Sequence, residues 1–478
     1  MVFLIDDMGL MDTSVPFVLG ADGRPEAQPL NAWYRTPGME RLAAQGIRFT
    51  QFYANSVCSP TRTSILTGQA ASRHRVTQWI RSEQNNRGEF GPPDWNWTGL
   101  EPGDTTMPGV LREAGYRTIF VGKAHFGPSD EPSEFPQNLG FDVNIAGCSW
   151  GQPGSYFGQD GYGHIKGNKR RAVPDLADYH GTDTFLTDAL TLEAIKQVDV
   201  AVRAEQPFFL YLGHYAVHTP FQTDPQFVDD YKNRGYDARA QAYATLIAGM
   251  DKSLDELLDH LVEAGVAENT LVLFLGDNGG DAPLGETHGH GPSAPFRGKK
   301  GTHYEGGMRV PFIAAWAKPN PDHPVQRAWP IPAGGVQTQF GTVMDLYPTV
   351  LSLAGLDNPQ GHTIDGDDLK TQLLGQANPD RSDRFLMHFP HAHRSSYYTV
   401  YRANDWKLIY HYRPNANPAK TRYELFNLAD DPYETTNLAE GRPEKLRQMV
   451  RQMTGQLDEH EALYPVDAQG NEVRPIVP

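Results

Sequence analysis

The sequence predicts an α/β fold, a large mixed but mostly parallel sheet sandwiched by helices, followed by a smaller C-terminal domain with a short antiparallel sheet and a terminal helix. Three observations carry this reading. Apolar runs rich in branched and aromatic residues alternate with helix-period segments, as strands covered on both faces require. Acidic residues follow two of those runs, where open α/β sheets bind ligands. Toward the C-terminus the pattern changes to short alternating runs typical of an antiparallel sheet. A chain of 478 residues can bury a large core and carry a second, smaller unit, expected here as residues 1–375 and 376–478.

The predicted strands are "VFLI" from Val2, "YRTIFVG" from Tyr116, "PFFLYLG" from Pro207 and "TLVLFLGDNGG" from Thr270. The clearest helix precedes the last of these, where Ile247, Met250, Leu254, Leu257, Leu258 and Leu261 recur at spacings of three and four. A second periodic segment, "YPTVLSLAGL" from Tyr347, leads into a polar stretch with Gly and Pro, residues 357–384, that reads as a boundary. Beyond it, "YYTVYRANDWKLIYHY" and "RYELFNL" read as strands, and Leu446, Met449, Met453 and Leu457 mark the terminal helix.

A formal net charge of −16 argues against a nucleic-acid partner and requires any anionic substrate to be drawn to a local basic pocket. Cys58 and Cys148 are too few for a disulfide framework and belong to no Cys-x-x-Cys or Cys/His zinc pattern. No run is long enough for a membrane span, and "MVFLIDDMG" is too poor in apolar residues for a signal peptide.

The chemistry gathers at strand ends. Asp6-Asp7 follows "VFLI" and Asp277-Asn278 follows "LVLFLG". Adjacent carboxylates repel unless they are solvated or held by a hard divalent cation. Asp6-Asp7 alone is read by default as an acidic loop, but together with the second acidic end the set, all oxygen ligands, favours calcium or magnesium over zinc. "VGKAHFG" sets Lys123 and His125 past another strand, and "HYAVHTPF" does the same for His214 and His218. "FRGKKGTHYEGGMRVP" adds Arg297, Lys299 and Lys300 beside glycines that let backbone close around a bound group. Cys58 has three readings: a buried small hydrophobe, an activated thiolate, or the precursor of a modified nucleophile. A soft thiolate suits a hard cation poorly, so an oxygen nucleophile fits better.

Cys58-Ser-Pro60-Thr-Arg62, continued by "TSILTG", resembles the signature of the type I sulfatases of the alkaline phosphatase superfamily. "IDDMG", "EAGYRTIFVGKAHFG", "HTPF", "LVLFLGDNGG", "RGKKGTHYEGGMRVP", "DLYPTVLSLAG" and "RYELFNLADDPYETTNL" resemble further landmarks of that family, in its order, over nearly the whole chain. The resemblance implies that a formylglycine-generating enzyme oxidises Cys58 to formylglycine, an aldehyde whose hydrate offers two hydroxyls. One attacks sulfur; loss of the other's proton then expels sulfate and restores the aldehyde. It also implies calcium ligands at Asp6, Asp7, Asp277, Asn278 and modified Cys58. Arg62 would orient the hydrate, and His125 would take the second proton. Lys123, His218 and Lys300 would contact the sulfate, with Lys300 or His218 protonating the leaving alkoxide. Two departures, Ala124 where Trp is common and Gly276 where Ser or Thr is frequent, remove no reactive group. Counting back from Glu305-Gly306-Gly307 selects Lys300 over Lys299.

Substrate contacts are expected on loops outside these motifs. Residues 81–97 bring Trp95 and Trp97, residues 163–171 four basic side chains, and residues 388–394 bring His388, His391 and Arg394; His214 and His303 join them from the motifs. Trp and Arg suit sugar faces and anionic groups. The expected substrate is therefore a sulfated carbohydrate, an oligosaccharide or polysaccharide, which places the protein in the periplasm or outside the cell. Two alternatives stand beside this: a phosphonate monoester or phosphodiester hydrolase of the same superfamily, and a non-catalytic, calcium-dependent sulfoglycan-binding protein.

Overall fold

A computed structural model describes residues 1–284, 291–394, 396–416 and 420–478. In chain order the strands are β1 (Val2–Ile5), β2 (Ile47–Phe49), β3 (Phe52–Tyr53), β4 (Arg117–Gly122), β5 (Val143–Ile145), β6 (Phe208–His214), β7 (Leu271–Gly276), β8 (Phe312–Trp316), β9 (Gly335–Gln337), β10 (Gly341–Thr342), β11 (Arg384–Ala392), β12 (Ser396–Ala403), β13 (Trp406–His411) and β14 (Tyr423–Asn427). The main sheet runs β5-β4-β6-β1-β7-β8-β2-β9. It is parallel from β5 through β7, and β8 runs antiparallel to both of its neighbours. The fold class is the expected one.

Strand β1 shows why its sequence is apolar throughout. Phe3 and Ile5 point into a core completed by the helices Leu186–Arg203 and Ala238–Glu263, while Val2 and Leu4 join a second core on the other face, with Leu66, Leu111 and Leu346. A strand buried on both faces has no polar alternation to display. All six apolar residues that marked the long helix are fully buried in the first of these cores.

The C-terminal sheet has the order β11-β12-β13-β14 and is antiparallel throughout. One face takes Leu446, Met449, Met453 and Leu457 from the helix Pro443–Glu459. The other presents Phe385, Met387, Phe389 and Tyr398 to Tyr53, Val57 and Met308. That apolar contact seats the small sheet beside the start of the helix carrying Cys58. Strand β11 corrects the sequence reading, in which residues 388–394 were a loop: β11 pairs with β12, His388 opposite Thr399, with an irregularity between Phe389 and Ala392 around Pro390, which cannot donate to a ladder.

Candidate active site

Register brings the acidic pairs together. In the β1–β7 ladder Ile5 lies opposite Gly276, so Asp6-Asp7 and Asp277-Asn278 emerge side by side. The loops after them close tightly, since a Cβ on Gly9 would stand 2.5 Å from the Gly280 nitrogen. Strand β6 lies between β4 and β1, which delivers Lys123 and His125 from one neighbouring strand end and His218 from the next. Asp6, Asp7, Asp277, Asn278, Lys123 and His125 are all buried.

The helix Cys58–Thr67 supplies the other half. Cys58 is its first residue, and Arg62, one turn on, lies on the same face, which accounts for the Cys-x-x-x-Arg spacing. Pro60 is tolerated because amides of the first turn have no intrahelical partner. Arg62 Nε and Nη2 each stand 2.9 Å from Asp277 Oδ2, and Nη1 donates to the Lys123 carbonyl at 2.6 Å. Lys123 Nζ lies 2.5 Å from Asp6 Oδ2, and Lys300 Nζ 2.5 Å from Asp7 Oδ1. His218 Nε2 lies 3.6 Å from Asp7 Oδ2. Lys299 instead faces Asp281 at 3.4 Å from a half-exposed position, so Lys300 is the one of the two that lies within the buried group.

The acid group fits a cation. Oxygens of Asp6, Asp7 and Asp277 lie within 4.8 Å of one another, and buried Asp6 Oδ1 and Asn278 Oδ1 have no hydrogen-bond partner among the described residues. Orphaned oxygens at that depth are costly unless an ion or water satisfies them. Burial pushes the Asp6 carboxyl well above the ordinary carboxylate range despite Lys123. Burial acts the same way on Asp7, but Lys300, His218 and Lys123 outweigh it and hold its carboxyl well below that range.

His125 faces residue 58 as a base. Its Nε2 lies 2.6 Å from the Ile80 carbonyl, which can only accept, so the ring proton sits there and Nδ1, 3.2 Å from Cys58 Sγ, keeps its lone pair. Burial, with Lys123 adding to it, holds this imidazole well below the usual histidine range. Burial also raises the Cys58 thiol, against Lys123 and Lys300, so the group is a neutral thiol rather than a thiolate nucleophile.

Above this centre opens a cleft of about 190 Å³ in which Cys58, His125, His218 and Lys300 meet Trp79, Arg81, Glu83, Gln152, Arg171, His393 and Arg394. Of the residues expected to touch the sugar, as distinct from its sulfate, only Arg394 lines it, held through both guanidinium ends to Asp281. His214 is buried in β6 against Phe3 and Ser253. His388 bonds Thr399 and the Leu463 carbonyl, and His391 bonds Thr77 and the Arg87 carbonyl. Trp95 packs on Val76 and Ile80, with Trp97 beside it, its Nε1 donating to the Arg81 carbonyl. His303 stands with His411 and Glu424 in a second group of possible metal ligands, but His411 Nε2, 2.9 Å away, and Tyr304 OH already engage that carboxylate. The three expected loops do reach the cleft, through Arg81, Arg171 and His393. Trp95, His388 and His391 turn inward instead, where apolar area and ring nitrogens find partners.

The family described as "Sulfatase" matches residues 21–356, and "N-sulphoglucosamine sulphohydrolase, C-terminal" matches residues 299–462. N-acetylgalactosamine-6-sulfatase of Mus musculus is 33% identical over 392 residues, covering 78% of this chain and 66% of that protein, so the match spans just under two thirds of the mouse protein's length. Its Homo sapiens counterpart is 30% identical over 507 residues, covering 98% of this chain and 87% of that one. The crystal structure of Ps i-CgsB superimposes with a TM-score of 0.73 at 26% identity, over 95% of this chain and 92% of that one.

Proposed function

The chain belongs to the sulfatase family, and from that premise we propose that it hydrolyses O-sulfate esters of a sulfated carbohydrate, using Cys58 converted to formylglycine. One observation carries the reading. A single buried centre gathers residue 58, a base lone pair aimed at it, three carboxylates suited to a hard cation, and two ammonium groups, from segments as far apart as residues 6 and 300.

The chain's own groups divide the work. Asp6, Asp7, Asp277 and Asn278 would hold calcium, with an oxygen of modified residue 58 completing the set. Calcium in that position supplies a Lewis acid that lowers the proton affinity of that oxygen. Cys58 Sγ marks where the oxygens of the formylglycine hydrate stand. Arg62, fixed by Asp277 and the Lys123 carbonyl, keeps the first turn of its helix in register with the acid group. His125 Nδ1 is placed to accept a hydroxyl proton from residue 58. Lys123, Lys300 and His218 face the sulfuryl oxygens; Lys300, kept charged by Asp7 against its burial, holds the proton available for the leaving oxygen. Residues 376–478 act as the smaller domain that completes the cleft, through His393 and Arg394.

The carbohydrate assignment rests on the two N-acetylgalactosamine-6-sulfatase relatives. Sulfated polymers of this kind lie outside cells, so the proposed setting is periplasmic or secreted; no helix among the described residues is long and apolar enough to cross a membrane. The test is joint. Mass spectrometry of the Cys58 peptide, from protein made with a formylglycine-generating enzyme, should read about 18 Da below cysteine. The same protein should release sulfate from 6-sulfated N-acetylgalactosamine faster than it cleaves aryl phosphonate esters. Phosphorus esters winning by orders of magnitude would move it to the phosphonate hydrolases, and unmodified thiol with no turnover would favour a sulfoglycan-binding protein.

A further inference from the structure

We infer that the cleft recognises a second anionic group on its substrate, a carboxylate or another sulfate on the sulfated sugar or its immediate neighbour, through Arg81 and Arg171. This rests on the reading of the site as one for sulfated carbohydrate and narrows the substrate class.

The argument starts from the charges around the cleft. Lys300 is engaged by Asp7, and Arg394 by Asp281, which also faces Lys299. His125 is engaged by the Ile80 carbonyl and Cys58, and His218 by the Thr219 carbonyl and Asp7. Arg81 and Arg171 remain: among the described residues neither guanidinium has an ion pair or a hydrogen bond, although both line the same small cleft as Cys58. Glu83, the one carboxylate on that lining, makes no ion pair with either among the described residues. Two unpaired guanidiniums thus face a cavity that also receives the ester sulfate, on a chain whose net charge of −16 would otherwise repel a polyanion.

Both residues stand on anchored backbone. The Arg81 amide donates to Asn86 Oδ1 at 3.0 Å, its carbonyl accepts from Trp97 Nε1 at 3.1 Å, and Asn86 Nδ2 ties back to the Trp79 carbonyl at 2.9 Å. The Arg171 amide bonds the Asn168 carbonyl at 2.9 Å, and Asn168 bonds the Gly154 carbonyl at 3.0 Å. Trp79 adds a buried indole N–H with no acceptor among the described residues, beside Arg81 and in ring contact with His393. Donors carried on anchored backbone and left without protein acceptors, next to a site for one anion, fit a ligand that brings a second.

Calorimetric titration of the Cys58→Ala protein tests this without turnover. The probes are N-acetylgalactosamine 6-sulfate, its 4,6-disulfate, and the 6-sulfated disaccharide carrying a uronic acid. At least one dianionic probe should bind about tenfold to a hundredfold more tightly than the monosulfate. Arg171→Ala and Arg81→Ala should each reduce that ratio about tenfold, and Arg171→Lys should recover part of it. The probe that loses most in the arginine variants identifies sulfate or carboxylate as the second group. Equal binding of all three probes, or ratios unmoved in both alanine variants, overturns the inference. Sulfate release by formylglycine-bearing wild-type protein is scored separately, so a protein that discriminates dianions without hydrolysing them counts against the catalytic reading alone.

Discussion

Replacing Arg62 with glutamine tests the buried charge balance at its least replaceable member. Counted as ionised, Asp6, Asp7 and Asp277 face Lys123, Lys300 and Arg62, so the centre is neutral, and Arg62→Gln leaves it one charge negative. Arg62 and Asp277 are completely excluded from solvent, and stranding one partner of such a pair costs about 3–5 kcal/mol. Unfolding a chain of 478 residues carries an entropy of roughly 1 kcal/mol/K, taking about 2.1 cal/mol/K per residue, so the metal-free variant should melt about 3–5 °C lower. A divalent cation held by the acid group would act in the opposite sense. A ion that binds only the folded state adds about 4 kcal/mol at a thousand times its Kd, and a centre made more negative attracts it more strongly. Scanning calorimetry of both proteins, in chelator and in millimolar calcium, should therefore show a lower metal-free Tm for the variant and a calcium-induced rise at least as large as that of the wild type. Coincident metal-free melting would refute the charge balance, and a calcium response absent from both proteins would refute the cation site.

Two further substitutions separate neighbouring roles. Lys300→Ala should lower kcat/KM about a hundredfold, the worth of one charge-stabilising donor, while Lys299→Ala, on the half-exposed side facing Asp281, should stay within about twofold; steady-state kinetics with the reverse order would reassign the lysine. His214 is held by burial at a pKa of about 3, below its ordinary 6.5, so its stabilising contribution is complete above pH 6.5 and is lost as pH falls toward 3. The stability advantage of wild type over His214→Gln should shrink by roughly 1.4 kcal/mol per pH unit below 6.5. Denaturant unfolding at pH 7 and pH 5 checks this, and an unchanged difference would mean that His214 is protonated in the folded protein.

The central strands and the acidic part of the candidate centre are legible in the sequence for one physical reason: strands buried on both faces are apolar throughout, and the polar residues ending them are few and conspicuous. Asp6-Asp7 and Asp277-Asn278 stand out in this way, and register then makes them neighbours. Short strands at or next to the edges of the sheet, β2, β5 and β9, carry no such contrast, since three residues of mixed polarity fit a loop equally well. Strand β11 was hidden by Pro390 and its histidines, which resemble a binding loop until pairing with β12 buries them. The same ambiguity misplaced Trp95, His388 and His391: a side chain able both to stack on a sugar and to fill a core does not announce which it does. Arg81 and Arg171 lay within stretches singled out from the sequence, yet only the cleft distinguishes them from other surface cations.

The lysines that face the sulfate in this reading rest on the groups that would hold the cation. Lys123 Nζ and Lys300 Nζ each stand 2.5 Å from a carboxylate oxygen of Asp6 or Asp7, so an ammonium and a dication compete for the same oxygens. In this proposal a dication bound at the acid group would displace the ammonium groups from these oxygens and, with the three carboxylates counted as ionised, would turn a neutral centre into one carrying two positive charges, suited to an anion. Binding of sulfate should then depend on calcium, with a coupling of about fivefold or more, and by linkage sulfate should tighten calcium to the same degree. Titration of inorganic sulfate into wild-type protein, with and without calcium, measures one side of that cycle, and titration of calcium with and without sulfate measures the other. Sulfate affinity indifferent to calcium would mean that the two lysines never leave the carboxylates, and the anion site would then have to be sought among Arg81, Arg171 and Arg394 instead.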